Sequence, residues 1–529
     1  MSTKMKPHRA ELLMPAGSLS KLKTAILYGA DAVYAGTPDL SLRTQSSFTL
    51  EELMEGVRFV HERGRHIYLT LNLFTHNKDI EKLPLFVETV RKVKPDGLIV
   101  SDPGVFHFLK EHAPELELHV STQANACSWL TVQSWQKQGA SLCVLAREVS
   151  FTELTEIREK CPEIKLEAFV HGAMCMTYSG RCLLSNFLAE RGANQGNCAQ
   201  SCRWNYKVLA RTKDGQEIEI TPDNKDNFDF YLEEEYRPGE LMKIEEDERG
   251  SYIMNAKDLC LMPKLDDYLA LGVDSLKVEG RNKSEYYAAI TARAYRHAID
   301  AWYASPSDWK PDEYLRELYT LQSRGYSLGF HEGRLTNLAH NYDRTDTVGG
   351  WLYAGVISKW DGDDMIFLIR NPLRTGAILE FLPPLAFEPI RLRLYEFENA
   401  DTGENTEKVA PGQGRSIRIP ASAFHNEDPA TLKTQLPPMS VARTEADLSE
   451  ERRTLLEGNL ISLDMESGLR ASADDRPTVK GKAHVGKAPT LGLDSCCGLG
   501  CNGCLMFWND PKYANARETL KAKKIGEML

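Results

Sequence analysis

The sequence predicts an α/β protein: a (β/α)8 barrel of the TIM type, then a small antiparallel β-barrel domain and a cysteine-rich tail. Three observations carry this reading. Eight short apolar runs of strand length lie between Glu11 and Val278, and most are followed by a helical pattern. From Gly349 to Val441 the pattern changes to short β-rich runs broken by turn residues. Eight of the twelve cysteines fall in two clusters, one midway along the chain and one near its end.

The elements follow in order. Glu11 to Met14 reads as the first strand, and Pro15-Ala-Gly-Ser18 leads into a helix from Leu19 to Tyr28. Asp31 to Tyr34 is the second strand, Ile67 to Leu73 the third, Gly97 to Val100 the fourth and Leu118 to Ser121 the fifth. Leu142 to Leu145, Leu166 to Val170 and Ser275 to Val278 complete the eight. Ile80 to Lys92 and Phe151 to Lys160 have helical spacing between them. An open doubly wound sheet is the competing arrangement. It is disfavoured because no Gly-x-Gly-x-x-Gly follows the first strand.

The barrel is expected over residues 1–315, with about 171–260 inserted between units seven and eight. The insertion holds the first cysteine cluster and an acidic, turn-rich stretch, Asp223 to Gly250, read as an extended hairpin or surface loop. A long helix runs from Tyr286 to Trp302, and 316–348 is a connector. The small β-domain occupies 349–445, a polar linker 446–490, and a Cys-rich tail with a basic helix 491–529.

The chain has 529 residues, 42% apolar and 26% charged, the balance of a globular protein with a large core. Met1 to Ala10 lacks the apolar centre of a signal peptide, and no run has the length of a membrane span. The expectation is a cytoplasmic protein with no membrane partner. A net charge of −11 excludes a generally basic nucleic-acid coat, so RNA binding would need positive charge gathered on one face or the tail.

Cys175, Cys182, Cys198 and Cys202 fall within 28 residues, and Cys260 stands alone before unit eight. Thiolates are soft ligands suited to iron–sulfur clusters and zinc. Structural zinc prefers tight Cys pairs, and only Cys198 and Cys202 form one, so the open spacing favours a cluster held between loops. Zinc, or unrelated buried cysteines, are the alternatives. Cys496, Cys497, Cys501 and Cys504 fall within nine Gly-rich residues and fit zinc, a second iron–sulfur cluster or a redox dithiol.

Several motifs together resemble the collagenase-like peptidase family, whose catalytic type was formerly unclassified. They are Glu11-Leu-Leu-Met-Pro-Ala-Gly-Ser18, Gly29-Ala-Asp-Ala-Val-Tyr-Ala-Gly36, Ser121-Thr-Gln-Ala-Asn125, Glu167-x-Phe-x-x-Gly172-Ala-Met-Cys175, Ser179-Gly-Arg-Cys182-Leu-Leu-Ser185 and Lys277-Val-Glu-Gly-Arg281. The resemblance covers most of residues 10–445. The stretch from His171 to Tyr206 is most similar to bacterial members that make 5-hydroxyuridine at the tRNA wobble position. Other members hydroxylate rRNA or serve anaerobic ubiquinone hydroxylation. The resemblance implies a [4Fe-4S] cluster on Cys175, Cys182, Cys198 and Cys260, with Cys202 beside it. It further implies hydroxylation without molecular oxygen, prephenate or a similar dicarboxylate as co-substrate, tRNA or rRNA as substrate, and an electron donor. The Cys-rich tail departs from the shorter tRNA-modifying members.

A dicarboxylate would need cations at the barrel mouth. Arg147, Lys277 and Arg281 follow or end strands there; Glu279 is a candidate base or a partner of Arg281. Gln123, Asn125 and Asn72 are candidate substrate contacts, and His171 a candidate proton carrier. Each is also an ordinary structural hydrogen bond or ion pair when taken singly. Two other functions compete. A peptidase would use Cys175 with His171, but leaves the further cysteines unexplained. A non-catalytic RNA scaffold would use aromatics of the β-domain such as Trp351, Tyr353 and Trp360, which also fit a core.

Overall fold

The computed structural model describes residues 9–37, 48–72, 75–174, 256–333 and, with short gaps, 349–456, together with the backbone of six short strands between 209 and 252. Seven parallel strands come first: β1 (Glu11–Ala16), β2 (Ala32–Gly36), β3 (His66–Leu71), β4 (Gly97–Val100), β5 (Glu117–Val120), β6 (Leu142–Val144) and β7 (Lys165–Gly172). After the insertion come β8 (Asp258–Cys260) and β9 (Ser275–Val278). Strand β9 pairs in parallel with both β1 and β7, which closes an eight-stranded barrel. Strand β8 lies outside that ring, antiparallel to the end of β7, and carries β10 (Tyr326–Ser327) on its other edge.

Most of the helices of this unit start where short polar side chains cap them. They are α1 (Leu19–Leu27), α2 (Leu50–His61), α3 (Leu83–Val93), α4 (Pro103–His112), α5 (Trp129–Lys137), α6 (Phe151–Lys160), α7 (Leu265–Leu271), α8 (Glu285–Ala304) and α9 (Asp312–Leu318). Ser18, Asp102, Ser128 and Ser284 accept from backbone N–H groups of the first turn, and Thr49 with Glu52 and Ser150 with Glu153 form capping boxes. Strands buried on both faces explain the uninterrupted apolar runs of the sequence. Outward residues join the helices in the main core. Inside the barrel, Leu13, Ala32, Tyr34, Tyr68 and Ile99 form a separate small cluster. The buried polar side chains of Glu167, Ser275 and Lys277 sit beside it.

The second core belongs to an antiparallel sheet of β11 (Trp351–Asp361), β12 (Asp364–Ile369), β13 (Ile378–Phe381), β14 (Ile390–Arg393), β15 (Phe397–Asn399), β16 (Asn405–Thr406), β17 (Ser416–Pro420) and β18 (Val441–Glu445). Its order is β14-β13-β18-β11-β12-β17-β15-β16. The sheet curls around Ile357, Met365, Phe367, Leu379, Phe381, Ile417 and Ile419. Its outer strands β14 and β16 are not paired to each other among the described residues, so this is a curled sheet rather than a hydrogen-bonded ring.

Barrel and sheet fall in one compact unit. The Tyr28 hydroxyl donates to the Leu382 carbonyl at 2.7 Å and accepts from the Val441 N–H at 2.9 Å. A buried charge network runs from Arg293 on α8 to Glu317 (2.6 Å), to Arg443 (3.0 Å) and to Glu380 (2.8 Å). Within the second unit, three antiparallel pairs form: Leu209–Arg211 with Glu217–Glu219, Tyr231–Glu233 with Leu241–Lys243, and Glu245–Asp247 with Gly250–Tyr252. The acidic stretch read as an extended hairpin contains the second pair and most of the third. Among the described residues no helix is long and apolar enough to cross a membrane.

Candidate active site at the carboxyl end of the barrel

Lys277 is the centre of the site. It sits on β9 and points into the barrel, where its Nζ donates to Glu167 Oε1 at 2.6 Å. Glu167 is fully buried, and its other oxygen accepts from Ser275 Oγ at 2.9 Å. Burial pulls the lysine pKa below its ordinary value. Glu167 opposes that shift; Arg281 and Arg147 add to it.

Those two arginines share aromatic rings with Lys277. Its Nζ lies 4.6 Å from the Tyr34 ring centre and 5.5 Å from that of Phe169. The Arg281 guanidinium is 5.6 Å from Tyr34, and Arg147 stacks 4.0 Å over Phe169. Arg281 Nη1 also donates to Thr70 Oγ1 at 3.2 Å, which ties it to β3. Three cations thus converge on two rings at the carboxyl end, where barrel active sites lie. Tyr34 and Phe169 hold the cations in place, and Glu167 and Ser275 anchor the lysine. Sequence reasoning gave none of these four a role. The signal for Glu167 was there: a carboxylate inside an otherwise apolar strand, two residues from Phe169, needs a buried partner.

The other expected contacts are spread around the same rim. Asn72 Nδ2 donates to Ser121 Oγ at 3.3 Å. Gln123 is buried, with an Oε1 that accepts no hydrogen bond among the described residues. Asn125 ends the short turn Thr122–Ala124 at φ 51°, a left-handed conformation that asparagine tolerates. Glu279 Oε2 accepts from the Ala173 N–H at 3.4 Å, so it fastens the end of β9 to the start of the cysteine loop. Gly172 permits that approach: at φ 120°, a Cβ there would come within 2.6 Å of the Glu279 carbonyl oxygen.

His171 is placed differently from the expected proton carrier. The register between β7 and β9 shifts between Lys277 and Val278, which turns His171 out of the barrel. It packs among Tyr287, Tyr295 and Tyr326 with ring centres 5.3–5.9 Å away. Burial lowers its pKa to about 3, so it is neutral at physiological pH.

Cys260 is the described member of the expected cluster set. It pairs with His171 across β8 and β7, and β7 leads within three residues into Cys175. Its thiol is fully buried and pushed up to about 12 by desolvation, a setting in which a bound metal would favour the thiolate. A soft donor at the root of the cysteine loop fits an iron–sulfur ligand. Cys175, Cys182, Cys198 and Cys202, and the tail residues Cys496, Cys497, Cys501 and Cys504, lie outside the described residues.

A small cleft, with room for about one or two water molecules, opens beside Arg147 and Phe169 and continues past Leu259, Leu261, Tyr268 and His331. Its lining is mostly apolar. The aromatics weighed as RNA-stacking groups are engaged internally. Trp351 lies under Arg443 at 4.6 Å, Tyr353 stacks on Tyr286 at 5.6 Å, and Trp360 Nε1 donates to the Leu436 carbonyl at 2.9 Å.

Fold and site together define a (β/α)8-barrel protein with three cations gathered at its mouth. The profile of peptidase family U32 matches residues 17–341, and the chain belongs to that family. It is 39% identical to tRNA hydroxylation protein P of Escherichia coli over 439 residues, covering 78% of this chain and 94% of that protein. It is 42% identical to the protein of the same name from Haemophilus influenzae over 364 residues, 65% of this chain and 78% of the relative. The 23S rRNA 5-hydroxycytidine synthase of Escherichia coli is 29% identical over 413 residues, 77% of this chain and 57% of that protein.

Proposed function

We propose that this protein is a cytoplasmic RNA hydroxylase that forms 5-hydroxyuridine at the tRNA wobble position without molecular oxygen. The observation that carries the reading is the convergence of Arg147, Lys277 and Arg281 at the barrel mouth, in a chain whose relatives are named for tRNA and rRNA hydroxylation. Prephenate or a similar dicarboxylate is the co-substrate. Its carboxylates pair with the arginines, whose fork geometry suits them, while Lys277 holds or moves a proton at the reacting end. Cys175, Cys182, Cys198 and Cys260 hold a [4Fe-4S] cluster, which supplies electron transfer fed by an external donor. The tail cysteines take zinc or a second cluster.

Proteolysis draws no support from the geometry. His171 is buried among tyrosines, and a general base must reach the proton it removes. The test is nucleoside mass spectrometry of total tRNA and rRNA from a deletion strain. Loss of 5-hydroxyuridine from tRNA, restored by the wild type but not by Arg281→Ala or Cys182→Ala, is the expected result. Unchanged 5-hydroxyuridine in the deletion strain would overturn the proposal.

A further inference from the structure

We propose that the barrel interior carries a proton relay from its amino-terminal end to Lys277 at the mouth, running through Glu11, Ser275 and Glu167. The proposal rests on the reading of Lys277 as a proton-handling group of the reaction; the relay residues act through it and position its proton.

The geometry is a continuous chain of polar contacts across a closed barrel. His66, whose side chain is 55% exposed, has Nδ1 3.6 Å from Glu11 Oε2 at the amino-terminal rim. Tyr68 donates to the same Glu11 oxygen at 2.9 Å and fixes the carboxylate. Glu11 Oε1 is 3.3 Å from Ser275 Oγ, Ser275 Oγ is 2.9 Å from Glu167 Oε2, and Glu167 Oε1 is 2.6 Å from Lys277 Nζ. Ser275, Glu167 and Lys277 are buried.

Proton counting separates this chain from a plain ion pair. Ser275 has one hydroxyl proton but lies within hydrogen-bond distance of two carboxylates. It can donate to only one of them at a time. Its contact with the other is attractive only when that carboxyl carries a proton. A proton on either carboxyl would complete the chain of hydrogen bonds, which is the arrangement a relay passes through. Other titratable groups face the chain: Glu117 and His119 from β5, Asp96 beside His66, and Arg147 and Arg281 at the mouth. The neighbouring Glu11 carboxylate raises the His66 pKa, and burial lowers that of Lys277, which brings the two ends of the chain toward a common pH range.

The transfer balances without a co-reactant. When Lys277 is left as a neutral amine, a proton taken from solvent onto Glu11 passes to Ser275 Oγ as Ser275 gives its own to Glu167 Oε2. A half-turn of the Glu167 carboxyl then delivers that proton to Lys277 Nζ. One O–H bond is exchanged for one N–H bond; Glu11 and Glu167 end as carboxylates, and nothing is oxidised or reduced.

The test compares Ser275→Ala, which removes the hydroxyl, with Ser275→Thr, which keeps it, in the full chain loaded with its cofactor. Single-turnover hydroxylation of unmodified tRNA is followed in H2O and D2O across the pH range. Ser275→Ala is expected to slow the chemical step about 100-fold at unchanged RNA KM, with an altered solvent isotope effect and pH profile, and Ser275→Thr to restore both. If Ser275→Ala does not fold, Glu11→Gln tests the same step, because an amide cannot pass the proton. A variant as fast as the wild type with the same isotope effect overturns the relay and leaves the hydroxylase reading standing. If the wild type itself does not hydroxylate RNA, that reading has failed. Infrared detection of carboxyl protonation after a pH jump then decides the relay: slowing by Ser275→Ala, reversed by Ser275→Thr, supports it, and equal rates in all three proteins overturn it.

Discussion

Glutamine at position 167 removes the negative charge beside Lys277 while keeping the size of the side chain and an acceptor for the lysine. Glu167 is fully buried, 2.6 Å from Nζ, so the change strips one partner from a buried ion pair. Such changes cost about 3–5 kcal/mol when the remaining charge has no escape. Lys277 has one: it can release its proton, so this range is an upper bound at neutral pH. The lysine pKa already lies below its ordinary value because of burial, reinforced by Arg281 and Arg147. Glu167 supplies the hydrogen bond and the charge that oppose this, and in Glu167→Gln both are weakened or lost. The folded-state pKa therefore falls further. The sign of the pH dependence follows. Between the depressed folded value and the ordinary lysine value, the unfolded chain binds more protons than the folded one, so stability rises with pH. The slope approaches about 1.4 kcal/mol per pH unit, and the lysine contribution to the deficit is recovered above the ordinary lysine pKa. The wild type crosses a narrower window. Urea unfolding of both proteins between about pH 7 and pH 9.5 measures this, with the variant closing on the wild type as pH rises. Parallel stability curves across that range would refute the argument.

Three further outcomes follow from other parts of the molecule. Arg281→Ala removes a cation from the mouth and is expected to weaken dicarboxylate binding about 10- to 100-fold by calorimetry, the worth of a charge-assisted hydrogen bond; unchanged affinity would mean that the anion binds elsewhere. Glu317→Ala leaves the buried Arg293 guanidinium with carbonyl partners, Ala386 and Phe387, and should lower stability by about 3–5 kcal/mol, partly restored by the further change Arg293→Met; a thermal-melt shift no larger than that of a surface substitution would contradict it. Gly172→Ala puts a Cβ against the Glu279 backbone in a left-handed conformation and should cost about 2 kcal/mol or more, while moving Glu279 at the start of the cysteine loop; iron content and melting temperature both equal to wild type would count against the role assigned to Gly172.

The barrel was legible because parallel strands buried on both faces read as short continuous apolar runs. Gly97–Val100 and Ser275–Val278 coincide with their expected ends. The curled sheet was legible as turn-separated β-rich runs, but whether it closes depends on which end strands pair, and no local pattern encodes that. The arginines of the mouth were legible because a charge directly after an apolar strand falls on the rim. What was lost is orientation. Lys277 reads as a rim residue, yet its side chain lies inside the barrel against Glu167. Period-two counting sets Glu167, Phe169 and His171 on one face, which would aim the histidine at the substrate. The register shift between β7 and β9 breaks that count after Phe169.

That shift bears directly on the chemistry of the mouth. By turning His171 toward the tyrosines of α8, it takes that histidine out of the barrel and leaves it neutral. Lys277 is then the titratable group that the barrel interior presents between the two arginines. Because it is held from below by Glu167, its protonation is coupled to the interior of the barrel. On the proposed reading, a substrate carboxylate arriving at Arg147 and Arg281 raises the lysine pKa by bringing negative charge near it, so anion binding and proton uptake by Lys277 would be linked in both directions.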